Sequence, residues 1–406
     1  MGGLIMASTI NADTTNGVVV TSDTSGEIEL QSAGVTKAKV TANGLQDANG
    51  NSLRGGMYRN LIINGDMQIA QRGTSKTGVT SNGYYTVDRW FSVCSPASGI
   101  GTWTDEQSTD VPTGQGFTHS LKRTCTVADA SPASTDIAQI LQNIEGQNMI
   151  ALKKGTSNAE SATLSFWVKS NKTGTYTVEW RDVDNNRHIC AAYTITASDT
   201  WEKKTITFAG DTVSPFVYDN SSCGNISFNL AAGSAFTSGT LATSWASRNI
   251  ANFAVGQVNL ADSTANYINI TGVQLEVGEG ASDFEFLPYD VQLQRCQRYC
   301  WVWNASQASS NYAKVALGWF NNATTFRCII HFPTTMRASP SSITSTGAFN
   351  VFDGTSNRTV SAVGIDQAYT QTLSLTVTTI SSTQFRPGFY QAENNKTAKL
   401  EVSAEL

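Results

Sequence analysis

The chain is poor in charge. Asp, Glu, Lys and Arg make up 15% of its 406 residues, against about 25% in an ordinary globular protein. A charge-driven disordered chain is excluded, because 9 Trp, 12 Tyr and 17 Phe need burial. A coiled coil is excluded, because that composition needs a heptad rich in Ala, Glu, Lys, Leu and Arg. The net charge of −5 excludes a broad electrostatic grip on nucleic acid. The cysteines number 7 and none sits in a CxxC: a disulfide framework calls for an even count in a small secreted chain, and the four-residue spacing of Cys296 and Cys300 is not that of a zinc knuckle. Buried free thiols are expected instead, in a protein made in a reducing cytosol. No run reaches about 18 apolar residues, so no membrane insertion is expected. The first ten residues lack the basic region and small-residue site of a secretion signal. Gly2 invites myristoylation, but Met6 stands where Ser or Thr is required, and Met6 itself offers a second start. No repeat of 20–50 residues is visible, which argues against a solenoid or a long β-helix.

What fills the chain is Gly, Ser, Thr and Asn between alternating apolar residues. Segment 1–59 reads as short strands at 17–22, 26–32 and 37–42, with hairpin dipeptides at Asn16–Gly17, Asn43–Gly44 and Asn49–Gly50. It holds too few large apolar residues to offset its own ordering entropy. Copies intertwined in a homo-oligomer would complete its core; a loose linker is the other reading.

Segment 60–288 reads as one all-β domain. Leu164, Phe166 and Val168 share a face, as do Tyr176, Val178 and Trp180. In 267–277 the apolar set is Ile268 and Ile270, then Val273, Leu275 and Val277. The parity switches at Gly272, which predicts a β-bulge there. Residues 289–303 carry the one helical pattern, with Leu293, Cys296 and Cys300 on one face. Segment 304–406 reads as a second β domain, with strands at 314–320 and 326–332. Its ending alternates Leu400, Val402, Ala404 and Leu406 with Lys399, Glu401, Ser403 and Glu405.

Two stretches then make the chain recognisable: NLIINGDMQIAQRG at 60–73 with YTVDRWF at 85–91, and ITGVQLEVGEGASDFEFLPYDVQLQRCQRY at 270–299. Together they resemble bacteriophage tail-fibre or receptor-binding proteins that carry a carbohydrate-binding-module-like jelly roll. TLSFWVKS at 163–170 is similar to a central strand of that module. The resemblance implies an all-β architecture. It has a short N-terminal β-strand oligomerisation segment over 1–59, a central jelly-roll β-sandwich over 60–288, a short linker helix over 289–303 and a C-terminal β-sandwich over 304–406. It also implies a homotrimeric virion fibre, attached to the phage tail and binding host surface glycan. A capsid-attached head fibre and a glycan-depolymerising tail enzyme are the alternatives. No cofactor is expected. Structural Ca²⁺ between Asp66 and Glu276 is raised by the resemblance, since both fall on the first and last strands.

A sugar site needs flat aromatics beside polar side chains. Trp90, Trp167 and Trp201 read as core. Trp180 with Arg181, Asp182 and Asp184 is the first candidate, and Trp319 with Asn321 and Asn322 the second. For catalysis the sequence offers little. It has no GxSxG, HExxH, phosphate-binding loop or GxGxxG, and His119, His188 and His331 are isolated. Asp182, Asp184 and Asp219 are the acidic residues a glycosidase would draw on. No enzyme activity is expected.

Overall fold

The computed structural model describes residues 27–32, 34–41, 44–47, 58–307 and 311–406. The strand expected at 17–22 and the turns at Asn16–Gly17 and Asn49–Gly50 lie outside them. The described chain is all-β, as the alternation requires. It divides into two compact units, one formed by Met1–Met57 with Gly280–Asp283, the other by Tyr58–Glu279 with Phe284–Leu406.

In the first unit, strands Ile28–Ser32, Val35–Thr41 and Gly44–Asp47 form an antiparallel meander. The register sets Ile28 opposite Val40 and Leu30 opposite Ala38, and Val40 opposite Leu45. Residues directly opposite share a face, so these five apolar side chains lie together, with Leu30, Val40 and Leu45 exposed. Lys39 bridges Glu27 and Glu29 at 3.1 and 3.0 Å.

The second unit opens with a two-sheet sandwich. One sheet has six strands, ordered Glu202–Phe208, Ala162–Ser170, Tyr267–Val277, Ser120–Val127, Thr102–Ser108 and Ser75–Val79. The other has seven, with Gly174–Asp182, Ser222–Ala232 and Ile137–Glu145 at its centre. Leu164, Phe166, Val168, Tyr176, Val178, Ile226 and Phe228 interdigitate between them. Pairing of Ala162–Ser170 with Tyr267–Val277 slips between Ser165 and Trp167, and Gly272 takes φ +61°. This is the bulge that the parity switch demands. A side chain at 272 would meet the Phe117 ring at 2.5 Å.

The motif 60–73 with 85–91 is a knot at the mouth of this sandwich. Asn64 donates through Nδ2 to the carbonyls of Ile69 and Asp88, and accepts the Ile69 N–H. Its own carbonyl accepts Trp90 Nε1–H at 3.0 Å. Gly65 presses on the last strand so closely that a Cβ there would lie 2.0 Å from the Val273 oxygen. The motif residues thus couple the entry of the sandwich to its final strand.

The helix is shorter than expected. It covers Tyr289–Gln297, and the strand Cys300–Asn304 follows it. Trp301, Val302 and Trp303 are strand formers, and Cys300–Asn304 pairs with Lys399–Ser403. That last strand is the centre of a three-stranded sheet, flanked on its other side by Ser342–Thr346. The second β layering, expected as a sandwich over 304–406, takes the form of a closed six-stranded barrel. Its order is Lys314–Phe320, Thr325–His331, Thr372–Thr379, Asn357–Ala368, Phe349–Phe352, Pro387–Ala392. Phe320, Phe326, Leu373, Leu375, Val377 and Tyr390 fill it.

The three-stranded sheet is joined to the sandwich by ion pairs. Glu405 meets Arg89 and Arg72, the latter at 3.3 Å, while Glu401 takes Arg72 Nε at 2.8 Å. The Arg89 guanidinium stacks over the Tyr299 ring, 3.5 Å from its centroid.

Candidate functional site

Sequence patterning brings two aromatic constellations forward, and the structure separates them. Trp180 lies on the strand Gly174–Asp182 and points between the sheets, 3% exposed. Phe208 and Trp245 meet it edge-on at 5.6 and 5.2 Å. It is core, so the expectation that it presents a sugar platform is corrected. Alternation decides this: Trp180 shares parity with Tyr176 and Val178, which are both inward. Asp182 is buried and holds Lys154 Nζ at 2.6 Å, with Asp211 on the same amine at 3.1 Å. Asp182 also accepts the Asn185 N–H, and Asp184 accepts the Val217 N–H. Both carboxylates are therefore turn-forming groups. Asp219 likewise accepts the Ser221 N–H. Arg181 faces out from the seven-stranded sheet beside Asn225, half-buried, with its Nε unpartnered.

Trp319 is different. It lies on the outer face of the barrel, 43% exposed, and is the one tryptophan of the nine that is exposed; the rest are buried or half-buried. Inward Gly318 and Phe320 flank it, so strand alternation turns the indole outward. Register sets Arg327 opposite it on one side and Pro387 on the other, and pairs exposed Leu317 with exposed Phe389. The strip is edged by the Arg327–Asp366 ion pair at 3.1 Å. It is an apolar platform with charged hydrogen-bonding groups at its rim. Asn322 does not join it as a ligand through its oxygen. Its Oδ1 accepts the N–H groups of Thr324 and Thr325, both at 2.9 Å, and shapes the hairpin. Asn321 is tied through its backbone to Thr325 and to Gln384. Phe389 and Leu317 escaped sequence reasoning because they are neighbours only through barrel closure.

Two further sequence readings are displaced. Trp167 and Trp201, read as core, are half-buried on the outer side of the six-stranded sheet; Trp201 Nε1–H donates to Asp110 at 3.0 Å. Trp167 has the opposite parity to Phe166, which fixes its direction.

For metals, Asp66 is buried and held by Gln292 at 3.2 Å, and its carboxyl is pushed up by burial. Glu276 is buried beside Gln274 at 2.9 Å and Arg59 at 3.8 Å. Among the described residues, the group of three or more potential ligands is Glu179, His188 and Cys190 instead. Arg248 and His188 Nδ1 both meet Glu179 Oε1 at 2.9 Å, while His188 Nε2 faces the Asn249 N–H at 3.4 Å. Both ring nitrogens and the carboxylate are thus engaged, and burial pushes the Cys190 thiol far up. The cluster is a structural network, with no nucleophile at neutral pH. All seven cysteines are free and buried.

No protein-family model matches the chain, and no curated protein matches it. Among solved structures it is similar to the enzymatically active domain of bacteriophage CBA120 tailspike protein 4. The TM-score is 0.30 and the identity 13%, over 54% of this chain and 22% of that one. It is also similar to a CBM4 structure, with TM-score 0.28 and 15% identity over 53% of this chain and 97% of that one. A third is the family 11 carbohydrate-binding module from Clostridium thermocellum in complex with a mixed-linked tetrasaccharide. There the TM-score is 0.24 and the identity 12%, over 52% of this chain and 98% of that one.

Proposed function

We propose that this chain is a non-catalytic fibre protein of a bacteriophage particle, and that it binds host-surface glycan through the outer face of its barrel. One observation carries the binding role: an exposed indole in line with Leu317 and Phe389, edged by Arg327 and Asp366. The faces of pyranose rings carry C–H groups that pack on such a surface, while the rim groups bond hydroxyls. The virion role rests on the motifs at 60–73, 85–91 and 270–299. A trimer is part of this proposal, and the apolar face of the meander 28–47 supports a homo-oligomer. Several weak sites on linked copies then act by avidity. Absence of catalysis is supported by the carboxylates of 182, 184 and 219, each occupied by turn or ion-pair partners.

The test is adsorption of purified full-length protein to host cells and to their isolated polysaccharide. Trp319→Ala is expected to weaken adsorption at least tenfold with an unchanged melting temperature. Unaltered adsorption by that variant places the site elsewhere. Release of reducing ends from the polysaccharide overturns the non-catalytic reading.

A further inference from the structure

A recess lies beside the linker helix. It is a groove of about 530 Å³ between the sandwich entry, the helix Tyr289–Gln297 and the loop after the strand Thr325–His331. Tyr58, Leu61, Asn148, Gln294, Arg295 and Thr334 line it. Its volume suits one or two sugar rings.

Its charge balance is uneven. Arg298 also reaches the groove, but its guanidinium is neutralised: Nε and Nη2 each meet a Glu145 oxygen at 3.0 Å. Arg295, one turn earlier, has no such partner. Among the described residues no carboxylate lies within 4 Å of it. Its guanidinium donates to the Asn60 carbonyl at 3.4 Å and sits 5.9 Å from the Tyr58 ring centroid. The one carboxylate that acts on it among the described residues, Glu285, has its two oxygens taken by the N–H groups of Tyr58 and Asn60. Burial pushes the Arg295 guanidinium down, as expected of a cation that lacks a counter-charge. The Asn148 and Gln294 side-chain amides make no hydrogen bond among the described residues. A planar guanidinium offers parallel donors that match a carboxylate.

We propose that this groove binds the carboxylate-bearing residue of an acidic glycan, with Arg295 as the carboxylate anchor and Asn148 and Gln294 as hydroxyl ligands. This deepens the glycan-binding reading and rests on it, but it concerns a different surface from Trp319.

The experiment is an array of acidic bacterial polysaccharides, each beside its carboxyl-reduced neutral counterpart, probed with full-length protein at low salt. Inorganic phosphate serves as competitor. The wild type is expected to bind at least one acidic member at least tenfold more tightly than its reduced form. Arg295→Gln should abolish that ratio, and Arg295→Lys should retain part of it, with melting temperatures within the wild-type range. Trp319→Ala should lower binding to both forms and leave the ratio intact. Equal binding of acidic and reduced forms overturns this inference and leaves the glycan reading standing. Binding of neither form overturns both. Displacement by millimolar phosphate as effectively as by free uronate overturns the sugar assignment, because the groove is then a general anion site.

Discussion

At the scale of single residues, the charges of this protein are scarce and mostly committed. Asp353 shows what one carboxylate does here. It follows the barrel strand Phe349–Phe352 and is fully buried, with Arg358 Nε at 2.8 Å. It also accepts the N–H groups of Thr355 and Ser356 at 3.0 and 2.9 Å, closing the turn into the next strand. Burial alone raises a carboxyl, but these donors outweigh it and hold Asp353 well below its ordinary value of 3.8. The depressed carboxylate contributes stability that is fully present above its unfolded-state value. That contribution is lost as pH falls through the folded-state value. Wild-type barrel stability is therefore expected to drop between about pH 4 and pH 2. Asp353→Asn should cost about 3 kcal/mol at pH 7 and flatten that slope. Chemical denaturation across pH checks both, and an unchanged slope in the variant refutes the assignment.

At the scale of elements, alternation was the legible quantity. It located the strands around Phe166, Val178, Leu375 and Leu400, and the switch of parity in 267–277 located the bulge at Gly272. It also contained the information that Trp180 points inward and Trp319 outward. The strand ending, read as half-buried, proves to be the middle strand of its sheet, paired on both sides. Leu400 and Val402 are completely buried. Removing residues 400–406 strips both neighbours of their partner and takes about 1.5–3 kcal/mol of burial per large apolar side chain. It also leaves Arg89 buried without its carboxylate. The truncated protein is expected to lose cooperative thermal unfolding of the barrel side, read by near-ultraviolet circular dichroism. A soluble truncation with the wild-type transition would falsify this.

At the scale of the whole molecule, what sequence could not reveal was mostly non-local. The barrel closes by pairing Lys314–Phe320 with Pro387–Ala392, and no local pattern announces a partner so distant. The groove at Arg295 draws on residues near 60, 148, 295 and 334, so its composition appears only after folding. The motifs at 60–73 and 270–299 carried the resemblance in the sequence, and in the fold they do structural work: Asn64 and Gly65 lock the first turn onto the final strand of the sandwich. Among the described residues, the meander 28–47 has an apolar face with Leu30, Val40 and Leu45 exposed. Static light scattering of the full-length protein is expected to give three times the 43.5 kDa chain mass. Substituting Leu30 and Val40 with Ser should lower that mass, and a monomeric wild type rules out the intertwined stem.

The ion pair between Arg89 and Glu405 spans 316 residues of sequence. A ribosome makes Arg89 long before its counter-charge. Until then the sandwich holds a cation it can bury only at a cost of several kcal/mol. The carboxylate just beyond the last strand is therefore expected to set the stability of the sandwich as well as that of its own sheet.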